Sequence, residues 1–221
     1  MAASSMQRGL FFVFEGLDRS GKSTQSERLF NHLKESGKAV KKLQFPNRGT
    51  TIGGLINSYL QSKSELSDEA IHLLFSSNRW ETSVELEKDL AAGTSIVCDR
   101  YAFSGVAYTA AKGLKSLAWC KAPDVGLPEP DCVFYLDVDP QTAKSRADYG
   151  EERYEKAEFQ KKVGAQFATF KDEKFWCRLD ASREKDDLTN EIQTRVRSMY
   201  EGGLGAQPVK RLWEAVESHK S

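Results

Sequence analysis

The sequence lacks several features that would assign it to whole classes of protein. Its 221 residues contain no apolar run of about 18 or more, so we expect no membrane-spanning segment. The stretch from Met1 to Arg8 has no apolar signal-peptide core, which predicts that the protein is not secreted. Lysine plus arginine (32) equals aspartate plus glutamate (32), and without a basic excess we expect no general nucleic-acid binder.

Cysteine is also scarce. The sequence has four cysteines, and no two of them form the C-x-x-C pair of a common zinc site. Cys98 and Cys132 lie inside apolar runs, so we predict buried free thiols there. Such thiols suit a reducing compartment, and we expect a cytoplasmic protein, for which a nuclear pool is also compatible.

A phosphate-binding motif lies near the start of the chain. Residues 16–23 match the pattern G-x-x-x-x-G-K-S/T, with an apolar run before them (10–14) and a helix-like stretch after them (24–36). This order matters because the loop N–H groups and the positive end of the helix both face a bound phosphate. We predict that the chain binds a nucleoside triphosphate, with Lys22 on the β- and γ-phosphates and Ser23 on Mg²⁺.

Short apolar runs alternate with segments of helical spacing. Within the runs, apolar and polar residues alternate little, which is typical of strands covered on both faces. The runs lie at 10–14, 40–45, 96–98, 132–136 and 175–179. They predict an α/β fold: a three-layer domain with a five-stranded parallel sheet and helices on both faces. We expect one domain over residues 1–221, a helix ending at Gly37, another starting at Ser67, and a short final helix over 209–218.

Ligands bind at the carboxyl ends of parallel strands, so the residues after each run are site candidates. Asp99 and Arg100 end the third run, where we expect the aspartate to face Mg²⁺ directly or through water; a plain salt bridge is the alternative. Arg48 follows the second run, as a phosphate ligand or as a surface arginine. Phe75 and Arg79 share a helix face and suit a stacked base, although core packing is the commoner role of such a phenylalanine.

The middle of the phosphate loop and one charged segment are unusual. Asp18 is a carboxylate beside bound phosphate, which a second substrate facing it would explain. Arg19 suits a phosphoryl group in transit, with a solvated ion pair as the alternative. The charged stretch that holds Arg146 and Arg153 predicts either a lid over about residues 140–158 or an exposed helix with ion pairs.

Taken together, these residues closely resemble the thymidylate kinases of the eukaryotic type, which are nucleoside monophosphate kinases with a phosphate loop. The resemblance covers nearly the whole chain up to about residue 182. Its motifs in chain order are EGLDRSGKST at 15–24, FPxR at 45–48, LFSSNRWE at 74–81, DRYAFSGVA at 99–107, PDVGLPxPD at 123–131 and ERYE at 152–155. Asn47 departs from the glutamate that relatives often carry, which leaves the resemblance intact.

The resemblance implies a role for each candidate residue. ATP would be contacted by Arg19, Ser20, Gly21, Lys22, Ser23 and Thr24. For dTMP it implies Asp18 at the sugar 3′-hydroxyl, Arg48 and Arg100 at the phosphate, Phe75 and Arg79 at the base, Tyr154 near the 2′ position, and a pocket of Phe45, Phe103, Ser104, Gly105 and Tyr108. Catalytic roles fall to Arg19, Lys22, Asp99 and Arg100, Mg²⁺ to Ser23 and Asp99, and the lid arginines are Arg146 and Arg153.

The activity implied is transfer of the γ-phosphoryl group of ATP to dTMP, giving ADP and dTDP, a step in dTTP biosynthesis. The resemblance also implies a homodimer that acts on small molecules, with neither nucleic acid nor membrane as a partner. Another nucleoside monophosphate kinase, acting on UMP, dUMP or AMP, is the alternative. A signalling GTPase is not expected, because the sequence has no N-K-x-D guanine-reading segment.

Overall fold

A computed structural model describes residues 7–139, 142–143 and 153–214. At its centre is a parallel sheet of β1 (Phe11–Gly16), β2 (Val40–Gln44), β3 (Ser95–Asp99), β4 (Cys132–Asp137) and β5 (Trp176–Asp180). The strands lie in the order β2-β3-β1-β4-β5, and every neighbouring pair is parallel. Each of the five predicted runs became a strand, so the predicted α/β fold is confirmed.

Helices connect the strands. They are α1 (Lys22–Glu35), α2 (Thr51–Leu60), α3 (Asp68–Ala91), α4 (Ala102–Ala110), α5 (Leu117–Lys121), α6 (Ala157–Phe167) and α7 (Lys185–Glu201). The predicted start of α3 is confirmed, because the Ser67 hydroxyl accepts from the N–H of Ala70 at 3.2 Å. The predicted end of α1 is confirmed by Gly37, whose φ of 75° lets the Lys38 N–H donate to the Leu33 carbonyl.

Both faces of the sheet are covered. Along β1, Phe11 and Val13 pack into one apolar cluster while Phe12 and Phe14 pack into the other, so the strand is buried along its whole length. The free thiols predicted at two buried positions of β3 and β4 are confirmed. No helix of the described ranges is both long and apolar enough to cross a membrane.

The helix predicted over residues 209–218 is wrong for its described part. Arg211 forms an isolated antiparallel bridge with Pro128, and Trp213 has a φ of 58°, which no helix allows. Leu212 is fully buried, and its backbone bonds to Gly126 and Leu127. The apolar spacing therefore reflects docking of an extended segment against the domain; residues 215–218 lie outside the described ranges.

Candidate active site

The carboxyl ends of β1 and β3 open into a cavity of about 640 Å³. Its size is in the range of small-molecule sites. Predicted residues that line it are Asp18, Arg19, Gly21, Lys22, Ser23, Thr24, Phe45, Arg48, Phe75, Arg79, Asp99, Arg100, Ser104, Gly105, Tyr108 and Tyr154. Residues assigned to two different ligands thus surround one continuous space.

The phosphate loop keeps its shape through unusual backbone conformations. Gly16 has a φ of 147°, and a Cβ there would lie 2.6 Å from the Leu136 carbonyl oxygen. Gly21 (φ 98°) directly precedes α1. Arg19 adopts a φ of 63°, which residues other than glycine rarely adopt. Strained backbone of this kind concentrates at binding sites because the surrounding structure must hold it in place.

Lys22 begins α1 and is almost wholly buried beneath the loop. Its Nζ donates to the Leu17 carbonyl at 2.5 Å and lies 3.4 Å from the Ser20 hydroxyl. Burial lowers the pKa of Lys22 to about 8, and the nearby charge of Arg100 acts in the same direction. Ser20 is itself buried behind the loop and does not line the cavity, so its side chain supports the lysine rather than facing a ligand.

Ser23 and Asp99 meet where α1 begins and β3 ends. The Ser23 hydroxyl donates to Asp99 Oδ2 at 2.6 Å. Asp99 Oδ1 is buried and has no hydrogen-bond partner among the described residues. A hydroxyl beside a carboxylate oxygen without a partner is a donor set that suits Mg²⁺, which typically takes one or two protein ligands together with substrate phosphates. The two residues predicted to hold the metal therefore fit it.

Asp18 and Arg100 form an ion pair across the cavity wall. The Arg100 guanidinium also donates to the Gly16 carbonyl at 3.3 Å and to the Ser104 hydroxyl at 3.2 Å, and the Tyr108 hydroxyl donates to Asp18 at 2.9 Å. Burial pushes the pKa of Asp18 upward, but the charges of Arg100 and Lys22 outweigh it and hold that pKa below its usual value. Asp18 is therefore an ionised carboxylate that only accepts hydrogen bonds.

Gln160 on α6 is a site residue that the sequence did not reveal. Its amide nitrogen donates to Asp18 Oδ2 at 2.6 Å and to the Tyr154 carbonyl at 3.0 Å, and its amide oxygen accepts from the Asp18 N–H at 3.1 Å. A lone glutamine carries no recognisable signal, because its role depends on how α6 packs. It connects the phosphate loop to Tyr154, near the end of the predicted lid.

Glu15, at the end of β1, was also missed. It is fully buried and accepts from the backbone N–H groups of Tyr101 (2.8 Å) and Ser104 (3.0 Å) at the start of α4. Burial raises the pKa of Glu15, and these hydrogen bonds partly oppose that rise. A carboxyl group inside an apolar strand was the available signal, because such a group must be buried with partners.

The loop that carries Arg48 is fixed by its backbone. The Asn47 N–H donates to the side chain of Asn78 at 2.7 Å, and a Cβ at Gly53 would lie only 1.8 Å from the Asn47 carbonyl oxygen. Glycine in α2 thus permits the close approach that brings Arg48 to the cavity. In this structure Arg48 donates to Asn57 at 2.7 Å.

The expectation that Phe103 lines the base pocket is corrected by the structure. Phe103 is fully buried, with its ring 5.1 Å from that of Phe170 and 5.6 Å from that of Trp213. The helical rotation of α4 explains this, because Ser104 and Tyr108 lie four residues apart on the cavity face while Phe103 faces the core. Phe75 is half-buried and lines the cavity. The family resemblance predicted this position, whereas helical spacing alone favoured the core.

Comparison with known proteins agrees with this geometry. A family model described as thymidylate kinase matches residues 14–192. The chain belongs to the thymidylate kinase family. The thymidylate kinase of Plasmodium falciparum is 50% identical over 190 residues, covering 86% of this chain and 90% of that one. The human thymidylate kinase is 44% identical over 205 residues, covering 90% and 97%.

A solved structure from the thymidylate kinase family also resembles this chain over nearly its whole length. The thymidylate kinase of Candida albicans is 34% identical, superposes with a TM-score of 0.80, and the match covers 93% of this chain and 98% of that one. The fold predicted from the phosphate loop and the strand pattern is therefore the fold of the family.

The predicted lid, about residues 140–158, is described only in part. Residues 140–141 and 144–152, with Arg146, lie outside the described ranges. Arg153 donates to the Tyr59 carbonyl at 3.0 Å and pairs with Glu65 at 2.6 Å, so in this structure it is bound to the end of α2 instead of facing the phosphate loop. Glu155 lies 3.6 Å from the Arg19 guanidinium and brings this segment to the phosphate-loop side of the cavity.

ATP binding is expected to take up a proton at about pH 8. An anionic triphosphate raises the pKa of Lys22 from about 8. At a pH between the pKa of the free protein and that of the complex, the lysine therefore gains a proton when ATP binds. Calorimetry in buffers of different ionisation enthalpy measures this uptake, which should vanish near pH 6.5 because Lys22 is then already charged. Lys22→Arg, which stays charged, should show none, and no uptake by the unmodified protein at pH 8 would contradict the assignment.

Proposed function

We propose that this protein transfers the γ-phosphoryl group of ATP to dTMP, with Mg²⁺, to give ADP and dTDP as a step in dTTP biosynthesis. The observation that carries the proposal is the shared cavity, in which Asp18 of the phosphate loop pairs with Arg100 of the acceptor side. One loop then faces both substrates and holds them close together, and proximity is what a transfer between two bound nucleotides requires.

The acceptor side of the cavity suits a deoxynucleotide. Phe75 offers an aromatic face for stacking, and Arg79 offers N–H donors to the base edge. Arg48 and Arg100 supply positive charge for the acceptor phosphate. The carboxylate of Asp18 accepts from the sugar 3′-hydroxyl in this proposal, which gives its place in a phosphate-binding loop a chemical reason.

The chemistry needs positioning and charge neutralisation more than proton transfer. An oxygen of the dTMP phosphate forms a bond to the γ-phosphorus as the bond to the leaving ADP oxygen breaks, and the nucleophile is already anionic. Lys22 and Arg19 stabilise negative charge on the group in transit, and Arg100 holds the acceptor. Gln160 donates to both Asp18 and the Tyr154 carbonyl, and so connects the lid segment to this site. Closure of the lid would then exclude water from the transfer.

Mg²⁺ is proposed as the cofactor, held at Ser23 and Asp99. When bound with ATP, it neutralises and orients the phosphates. The Asp99 oxygen that has no partner among the described residues supports this assignment.

A homodimer is also proposed, with α3 in its interface. Leu73, Trp80 and Val84 are exposed and recur seven and four residues apart, so they share one face of α3. Exposed apolar stripes commonly mark contact surfaces. A cytoplasmic location is proposed from the buried free thiols, which suit a reducing compartment.

A panel of monophosphates assayed by ADP release tests the acceptor. With ATP and Mg²⁺ we expect dTMP to give the highest kcat/KM, and dUMP to be turned over about 10- to 200-fold less efficiently, because one methyl group separates the two bases. UMP and AMP are the controls. A ribonucleotide ranking above dTMP would favour the alternative kinase, and undetectable dUMP turnover at saturation would contradict discrimination by the methyl group.

Arg19→Ala is expected to lower kcat by about 10²- to 10³-fold and to leave dTMP binding nearly intact, because the arginine acts on the group in transit. Steady-state kinetics and a separate binding titration with dTMP distinguish the two effects. An unchanged kcat would remove Arg19 from the mechanism.

A further inference from the structure

The guanidinium of Arg79 is held from behind by a carboxylate. Its Nε donates to Asp124 Oδ1 at 3.1 Å, and a terminal nitrogen donates to Oδ2 at 2.6 Å. The Arg79 and Asp124 side chains are 2% and 0% exposed. A buried two-point pair of this kind fixes the plane of the guanidinium, because rotation would break both charge-assisted hydrogen bonds.

Asp124 is in turn anchored to the helix that carries Arg79. It ends the short 3₁₀-helix Ala122–Asp124. The Ser76 hydroxyl lies 2.7 Å from Asp124 Oδ1 and 2.9 Å from the Pro123 carbonyl oxygen, and the Trp80 indole N–H donates to the same carbonyl at 2.7 Å. The carboxylate and α3 therefore form one unit that sets the direction of Arg79 before any ligand binds.

Gly105 fixes the remaining side of the guanidinium. A Cβ at Gly105 would lie 2.8 Å and 3.2 Å from the two terminal nitrogens of Arg79, so the group lies directly against the backbone of α4. Arg79 and Gly105 both line the cavity. Because the Nε edge faces Asp124, the donors of the opposite edge are the ones available to a base.

We propose that Asp124 is a specificity-positioning residue, which holds Arg79 with its remaining N–H donors facing the base. The inference rests on the proposed function. A guanidinium has no acceptor, so in this orientation it matches the 4-carbonyl oxygen of thymine and opposes the 4-amino group of cytosine, which is a donor. Without the carboxylate the guanidinium is free to turn, and both affinity for thymine and rejection of cytosine decline.

Asp124→Asn tests this role, with dissociation constants for dTMP and dCMP measured by competition and kcat measured with dTMP. We expect dTMP binding to weaken by about 10- to 100-fold, because a partner of a buried charge pair is lost. Binding of dCMP should change far less, so the dissociation constant of dCMP divided by that of dTMP falls about tenfold or more, while kcat at saturation stays within about threefold.

A matched control separates positioning from general destabilisation. Asp131 forms a similar two-point pair with Arg8 at 2.7 and 2.8 Å, with side chains 8% and 11% exposed, and does not line the cavity. Asp131→Asn should lower the melting temperature but leave the ratio of dTMP to dCMP binding within about twofold of its original value. Ser76→Ala keeps the carboxylate and should shift the ratio in the direction of Asp124→Asn by a smaller factor, which preserves the test if that variant does not fold.

The outcomes distinguish the two proposals. An unmodified protein that does not phosphorylate dTMP refutes the proposed function. An active protein whose ratio is unchanged by Asp124→Asn, or by Ser76→Ala where the first variant does not fold, refutes the positioning role alone. An equal shift in Asp131→Asn would also overturn it, because the effect would then follow from lost stability.

Discussion

The ion pair between Asp18 and Arg100 is the contact on which the site depends. The two residues follow β1 and β3, which are neighbours in the sheet, so the parallel fold itself brings the charges together. Each charge compensates the other at a position where only about a fifth of either side chain is exposed. The pair keeps Asp18 ionised, and it joins the phosphate loop to the side of the cavity proposed for the acceptor. Arg100 itself has a left-handed backbone conformation, with a φ of 67°.

Much of this arrangement could be predicted from the sequence, and for physical reasons. The strands were predictable because buried parallel strands are continuous apolar runs. The phosphate loop was predictable because Gly16 and Gly21 have positive φ values that side chains rarely allow. The end of α1 followed from Gly37 in the same way. Residues 209–214 were mispredicted as helix because apolar spacing does not distinguish a helix face from a docked extended segment.

Side-chain partners were less predictable, because they depend on packing between elements distant in sequence. Phe103 belongs to a family motif but packs in the core, since its helix presents Ser104 and Tyr108 to the cavity. Arg153 was predicted only as one of two lid arginines, and its partners at the end of α2 could not be read from the sequence. Gln160 supports Asp18, and this contact depends on how α6 packs against the phosphate loop. Asp124 supports Arg79, and this contact depends on how the segment after α5 packs against α3. In these last two cases the polar group that faces a proposed ligand, Asp18 or Arg79, is held by a neighbouring polar group outside the cavity lining.

The central claim is that the phosphate loop touches the acceptor sugar through Asp18. The most direct measurement compares kcat/KM of the unmodified protein and of Asp18→Asn, each with dTMP and with its 3′-deoxy analogue. If the carboxylate binds the 3′-hydroxyl, the substitution costs at least about tenfold more with dTMP than with the analogue, a coupling of about 1.4 kcal/mol. An equal loss with both substrates would contradict the claim and leave Asp18 as a partner of Arg100 alone.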